Sequence, residues 1–192
     1  MKRQKSFDLD KYLLLAGIIG PILFFLTVYF LFAFLSPGYD IKEQYISELG
    51  AVDSPVKTLT NVFGFSLFGI FIMIFSIGIF RSNELNIIGK ISGISIFATG
   101  VLMLLVGVFV CDAGCNNFSI RGDIHNKVSN YQFPILAVGL VLFAFSVAMH
   151  EKLRILTPII LFFGLVTLVL AYFSIFHSHE LTYPGLVQRA AI

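Results

Sequence analysis

The chain has 192 residues, of which 57% are hydrophobic and 12% charged, with a formal net charge of +2 and a mean hydropathy of +0.91. Soluble domains carry about a quarter charged residues, so too little charge is left here to solvate a globular surface. Disorder, collagen and coiled coils need polarity or repeats, and nucleic-acid binding needs concentrated basic charge; none of these fits, and a polytopic membrane protein remains.

The spans follow from where charge is missing. No charged residue lies between Lys11 and Asp40, and the apolar run 12–35 fills most of that gap. Pro21, following Gly17 and Gly20, predicts a kink inside this first helix. Pro37-Gly38 stops it. The run is too long for a signal-peptide core and has no small-residue cleavage pattern after it, so it reads as a retained anchor. Ser54-Pro55 supplies a cap and a first-turn proline before a second charge-free run, 58–80. A third covers 91–111, a fourth 128–149 and a fifth, opened by Thr157-Pro158, 155–176. Each run suits a hydrocarbon core about 30 Å thick, which takes roughly 20 helical residues. Gly64, Gly69, Gly93 and Gly100 read as close-approach positions between helices. The expected fold is an all-α transmembrane bundle of five spans.

Orientation follows from Lys and Arg. With the N-terminus in the cytoplasm, segments 1–11, 81–90 and 150–154 hold eight basic residues in 26 positions, against five in 54 for segments 36–57, 112–127 and 177–192. The positive-inside rule therefore predicts an N-in topology. The outer connections also hold seven of the eleven acids and three of the four histidines, and both cysteines lie in or beside them. Chemistry, if there is any, is expected on that face.

Three outer pieces carry it. The first is Tyr45-Ile46-Ser47-Glu48-Leu49-Gly50. The second is Cys111-Asp112-Ala113-Gly114-Cys115, with Arg121 and His125 following. The third is His177-Ser178-His179-Glu180, followed by Arg189. Cys111 and Cys115 admit a disulfide in an oxidising compartment, free thiols in a reducing one, or metal ligation. His177 and His179 point the same way in an extended segment. With His125 and a carboxylate, Asp112 or Glu48, they make a zinc site that keeps a position for water. The competing reading is that these histidines cap the fifth helix. A second catalytic arrangement takes Ser47 as nucleophile, His125 as base and Asp112 as orienter, since such triads are defined by geometry and not by order. Arg121 and Arg189 suit a phosphate headgroup. Glu48 paired with Arg121 or Arg189 is the non-catalytic alternative, because polar groups at membrane depth need partners.

The run Tyr45-Ile46-Ser47-Glu48-Leu49-Gly50-Ala51, then Asn61, Cys111-Asp112 and His125, resembles a bacterial and archaeal membrane family catalogued as domain of unknown function 998. The closing Gly185-Leu186-Val187-Gln188-Arg189 resembles that family's last loop. More distantly, the ISELG segment and the later histidine are similar to the Frag/DRAM/Sfk family of eukaryotic membrane proteins, some of which are connected with lipid remodelling. The resemblance implies a multi-pass protein of a prokaryotic plasma membrane and directs attention to Ser47, Glu48, Asp112, His125, Gln188 and Arg189. It supplies no reaction. It also implies a sixth helix after the Gln-Arg pair, which the residues up to Ile192 do not contain: either the sequence is truncated or this member has five spans.

The leading expectation is an integral membrane protein whose outer polar cluster binds lipid or a partner without catalysis; membrane lipids are the expected partners and nucleic acid is not. The alternative is a metal-assisted hydrolase or transferase acting on lipid headgroups, with zinc on His125, His177, His179 and Asp112, and Gln188 with the arginines holding substrate. A small transporter comes third, since no charge sits mid-membrane and no inverted repeat is evident.

Overall fold

The computed structural model describes residues 2–176 and 182–192, with side chains from Lys11 onward. Among these residues five helices are long and apolar enough to cross a membrane. They are α1 (Lys11–Phe32), α2 (Lys57–Arg81), α3 (Ile87–Val108), α4 (Ile120–Ala148) and α5 (Arg154–Phe176). A short amphipathic helix, α6 (Pro184–Ala191), follows with Pro184 in its first turn, where proline's missing N–H removes no helical bond. Successive spans pack side by side, α1 on α2, α2 on α3, α3 on α4 and α4 on α5, and α6 rests on α5. The connections 33–56 and 109–119 and helix α6 gather at one end of the bundle.

Local chemistry sets the boundaries. Asn86 caps α3 by accepting from the Gly89 N–H at 3.1 Å, so α3 starts before the charge-free run and carries Lys90 on its first turn. Ser119 caps α4, its Oγ accepting from the Gly122 N–H at 3.0 Å. That helix therefore begins eight residues ahead of the apolar run 128–149, and its first two turns hold Arg121, Asp123 and Lys127. Lys127 pairs with Asp123 at 2.6 Å, one turn apart. Charge there reads as loop in the sequence, but a helix projecting beyond the hydrocarbon accepts such residues on its wet turns.

The α1 backbone runs through Pro21 and widens to a π-helix over Phe25–Phe32, one turn later. A second π-helix occupies Thr60–Ser66 at the start of α2. The two face each other: Val28 is fully buried, and a Cβ on Gly64 would lie 2.8 Å from its Cγ2. Between α2 and α3 the approach is closer still. A Cβ on Gly69 would sit 2.6 Å from the Gly100 carbonyl oxygen, and one on Gly100 would sit 2.8 Å from that of Gly69. Dispersion between closely approaching backbones is the main attraction available to helices in lipid, and it needs hydrogen at these two positions.

The apolar core lies toward the loop end. Phe24 stacks on Phe68 with ring centroids 4.5 Å apart. Phe65, Met103 and Val106 join them, and Ile46 and Leu49 from the connection plug the top. The 3₁₀ turn Ile46–Gly50 is thus a lid pressed into the bundle, and Asn61 ties it down by donating to the Gly50 carbonyl at 2.7 Å.

Candidate functional site

Two arrangements occupy the loop end, and the first is structural. Arg189 on α6 is buried, with its Nη1 donating to the carbonyls of Ile41 (2.7 Å), Gln44 (2.9 Å) and Gly185 (2.9 Å). Its Nη2 donates to the Tyr39 hydroxyl, which in turn donates to the Tyr45 carbonyl at 2.8 Å. The guanidinium also stands over the rings of Tyr29 and Tyr39, 5.8 and 5.5 Å from their centroids. Tyr29 closes the knot by donating to the Arg189 carbonyl at 2.7 Å. The approach depends on Gly185, where a Cβ would lie 2.3 Å from the Gln44 carbonyl oxygen. Burial pushes the Tyr39 phenol up to about 12, although Arg189 beside it pulls the other way. Next to Arg189, the Gln188 side chain accepts from the Ile46 N–H at 2.6 Å. Helix α6 is therefore clamped onto the 39–46 connection by carbonyl and phenol oxygens.

The second arrangement is an open polar cleft of about 500 Å³ between α4, α5 and the connections. Ser47, His125, Asn126, Ser129 and Asn130 form much of its wall, with Asn116, Asn117 and Gln188 at other sides. The α4 residues recur with a spacing that places them on one helical face. His125 is buried. Its Nδ1 lies 2.6 Å from the Phe109 carbonyl and 3.2 Å from that of Val106. Both neighbours are acceptors, so Nδ1 carries the proton and the lone pair is on Nε2. That Nε2 is buried and has no hydrogen-bond partner among the described residues. Deeper in the bundle lies an apolar cavity of about 200 Å³, lined by Phe68, Phe75, Met103 and Leu136 among others. Phe133 forms part of the wall of both spaces.

Cys111 and Cys115 are paired as a disulfide. The turn between them reverses through two left-handed residues, Gly114 at φ +60° and Cys115 at φ +52°. Cys111 is buried with its Sγ 3.3 Å from the Ser47 carbonyl oxygen. The Val52 N–H donates to the Cys111 carbonyl at 3.1 Å, so the lid turn and the cysteine turn are stitched together.

The residues singled out from the sequence divide accordingly. Ser47, His125 and Gln188 reach the cleft. Glu48 turns back on its own segment, accepting from the Tyr45 N–H at 2.8 Å and from Gln44 Nε2 at 2.9 Å, and no ion pair to Arg121 or Arg189 forms among the described residues. Asp112 does not orient His125. Its carboxylate accepts from the N–H groups of Phe118 and Ser119 and from the Ser119 hydroxyl, all at 2.7–2.8 Å. Those bonds, the hydroxyl first, hold its pKa below the ordinary 3.8, with Arg121 a minor contributor. Arg121 is exposed. Arg189, enclosed by carbonyls, does not present its guanidinium to the cleft. His177 and His179 lie outside the described residues. The sequence reading missed the Asn126, Ser129 and Asn130 face; its signal was polar residues at helical spacing, Asn126 in a segment taken as a loop and Ser129 and Asn130 at the start of the fourth predicted span.

Comparison with curated proteins gives no match, and comparison with solved structures gives none. The sequence model of the family described as protein of unknown function (DUF998) matches residues 18–192, and the chain belongs to that family.

Proposed function

We propose that this end of the bundle binds the headgroup of a membrane lipid without transforming it, and that the headgroup is neutral and rich in hydroxyls. With the N-terminus cytoplasmic, as the Lys and Arg distribution implies, the cleft faces the outer leaflet. The observation that carries the reading is the shared Phe133 wall: a polar cleft and an apolar cavity meet at one side chain, as an amphiphile with a head and a chain requires. The polar wall favours uncharged ligands. Amides and hydroxyls donate and accept equally well, which suits sugar or polyol hydroxyls. The buried cation at this end, Arg189, is already enclosed by three carbonyls and a phenol, so it supports a phosphate site poorly.

The test is native mass spectrometry of detergent-purified protein offered a glycosyl diacylglycerol and a phosphatidylglycerol with the same acyl chains. The expected result is a preference of about tenfold or more for the glycolipid, reduced in an Asn126→Leu, Asn130→Leu double variant. Two lost hydrogen bonds at about 1 kcal/mol each are enough for that change. Equal retention of both lipids, or an unchanged preference in the double variant, overturns the reading.

One observation favours hydrolysis or transfer on the same headgroup: Ser47 and His125 line one cleft, and the imidazole keeps an unpartnered Nε2. Turnover of the bound lipid that is lost in both Ser47→Ala and His125→Gln would replace binding by catalysis.

A further inference from the structure

We propose that Cys111, Cys115 and His125, with both cysteines reduced, form a zinc site whose fourth position opens to the polar cleft, and that the disulfide is the closed state of this site. The two sulfurs and one imidazole nitrogen lie within 4.8 Å of one another. Zinc with bonds of about 2.3 Å to sulfur and about 2.0 Å to nitrogen needs tetrahedral donors roughly 3.5–3.8 Å apart. Side-chain rotation spans that difference once the sulfur–sulfur bond is opened.

The imidazole is the independent observation. His125 is 3% exposed, and a buried ring nitrogen with a lone pair and no partner is costly to leave that way. The carbonyls of Phe109 and Val106 hold Nδ1–H, which fixes the tautomer and leaves the Nε2 lone pair free, the role that outer-shell carbonyls play for zinc-bound histidines. Charge balance agrees as well. Two thiolates neutralise one divalent ion and the imidazole is neutral, so the filled site buries no net charge beside Cys111, which is 1% exposed. Cys115 and His125 line the cleft and Cys111 stands behind them, which leaves the cleft side for a water or a ligand hydroxyl.

The same sulfurs cannot be a disulfide and a thiolate pair. Opening needs a dithiol reductant, which passes two electrons to the disulfide and becomes a disulfide itself, leaving two cysteine thiols. Zinc then displaces two protons from those thiols. Reoxidation by a small-molecule disulfide, which takes up those two electrons and becomes two thiols, re-forms the Cys111–Cys115 bond and releases the ion. The proposal does not rest on lipid binding, and every arm of its test runs in detergent without added lipid.

The test compares oxidised full-length protein with protein reduced anaerobically by dithiothreitol, each exposed to Zn²⁺, desalted and analysed for metal. Cobalt(II) substituted for zinc reports sulfur ligation by charge-transfer absorption in the near ultraviolet. Expected are about one ion per reduced chain, none per oxidised chain, and ejection on reoxidation. Cys115→Ser, a change at a partly exposed position, should lose both stoichiometric uptake and the sulfur absorption. His125→Gln should keep both thiols and weaken zinc binding by at least about tenfold, the lower bound for loss of even an outer-shell partner. The proposal is overturned if reduced wild-type protein takes up no ion, if oxidised protein takes up as much, or if Cys115→Ser binds zinc as wild type does.

Discussion

Replacing Arg189 by methionine probes the clamp between α6 and the 39–46 connection. The methionine keeps an unbranched chain against Tyr29 and Tyr39 and deletes the donors. The Ile41, Gln44 and Gly185 carbonyls and the Tyr39 hydroxyl then lose a charged partner at a site only 8% exposed. A net hydrogen bond to a charged group contributes about 1.5–3 kcal/mol. Four on one guanidinium do not add, and part of the loss is recovered as water reaches the opened carbonyls. Arg189 has neutral partners, so its removal leaves buried acceptors unsatisfied at about 1–3 kcal/mol each, and with that partial recovery a net loss of about 3 kcal/mol is expected. Because α6 and the connection are peripheral to the spans, the loss appears as local opening and not as global unfolding. At about 1.4 kcal/mol per factor of ten, 3 kcal/mol corresponds to roughly a hundredfold larger opening constant. Hydrogen exchange followed by mass spectrometry in detergent reads this out. The Ile46 amide, held by Gln188, and the α6 amides should exchange about a hundred times faster, while α3 keeps its protection. Arg189→Lys should fall between wild type and Arg189→Met, since an ammonium cannot present the same fork of donors. Unchanged protection at Ile46 in Arg189→Met would refute the clamp; equal loss across α3 would show that the knot supports the whole bundle instead.

Two further outcomes are expected. Gly100→Ala places a methyl 2.8 Å from the Gly69 carbonyl and 2.9 Å from the Met73 nitrogen; both are backbone atoms, so α2 and α3 must separate, and thermal unfolding in detergent should show a loss of about 1–3 kcal/mol. Asp112 has a folded pKa depressed below 3.8, so its contribution to holding residues 118–119 is present above that value and is lost as pH falls through the folded pKa. Exchange at the Phe118 and Ser119 amides, corrected for intrinsic rate, should therefore accelerate on acidification below about pH 4, and Asp112→Asn should remove that acid dependence and begin from weaker protection.

The sequence by itself located the five helices that, among the described residues, are long and apolar enough to cross a membrane, because hydrocarbon imposes a one-dimensional rule. Charge is excluded over about 20 consecutive residues, and that can be counted along the chain. It also placed Ser47, His125 and Gln188 at one end, since connections between successive spans alternate ends. The tertiary structure decided their company. Whether Lys127 and Asp123 lie on a loop or on a projecting helix turned on the Ser119 cap, and with it the position of His125 and the polar face that runs on to Asn130. Arg189 and Glu48 look like partners by charge, yet the fold gives Arg189 the carbonyls of residues 41, 44 and 185 and gives Glu48 the Tyr45 N–H. Backbone oxygens carry no residue-type signal, so a cation that pairs with those of residues 41 and 44, nearly 150 positions away, leaves no pattern in the sequence. For the same reason the orphaned Nε2 of His125 could be found only after the Phe109 and Val106 carbonyls had been seen to occupy the other ring nitrogen.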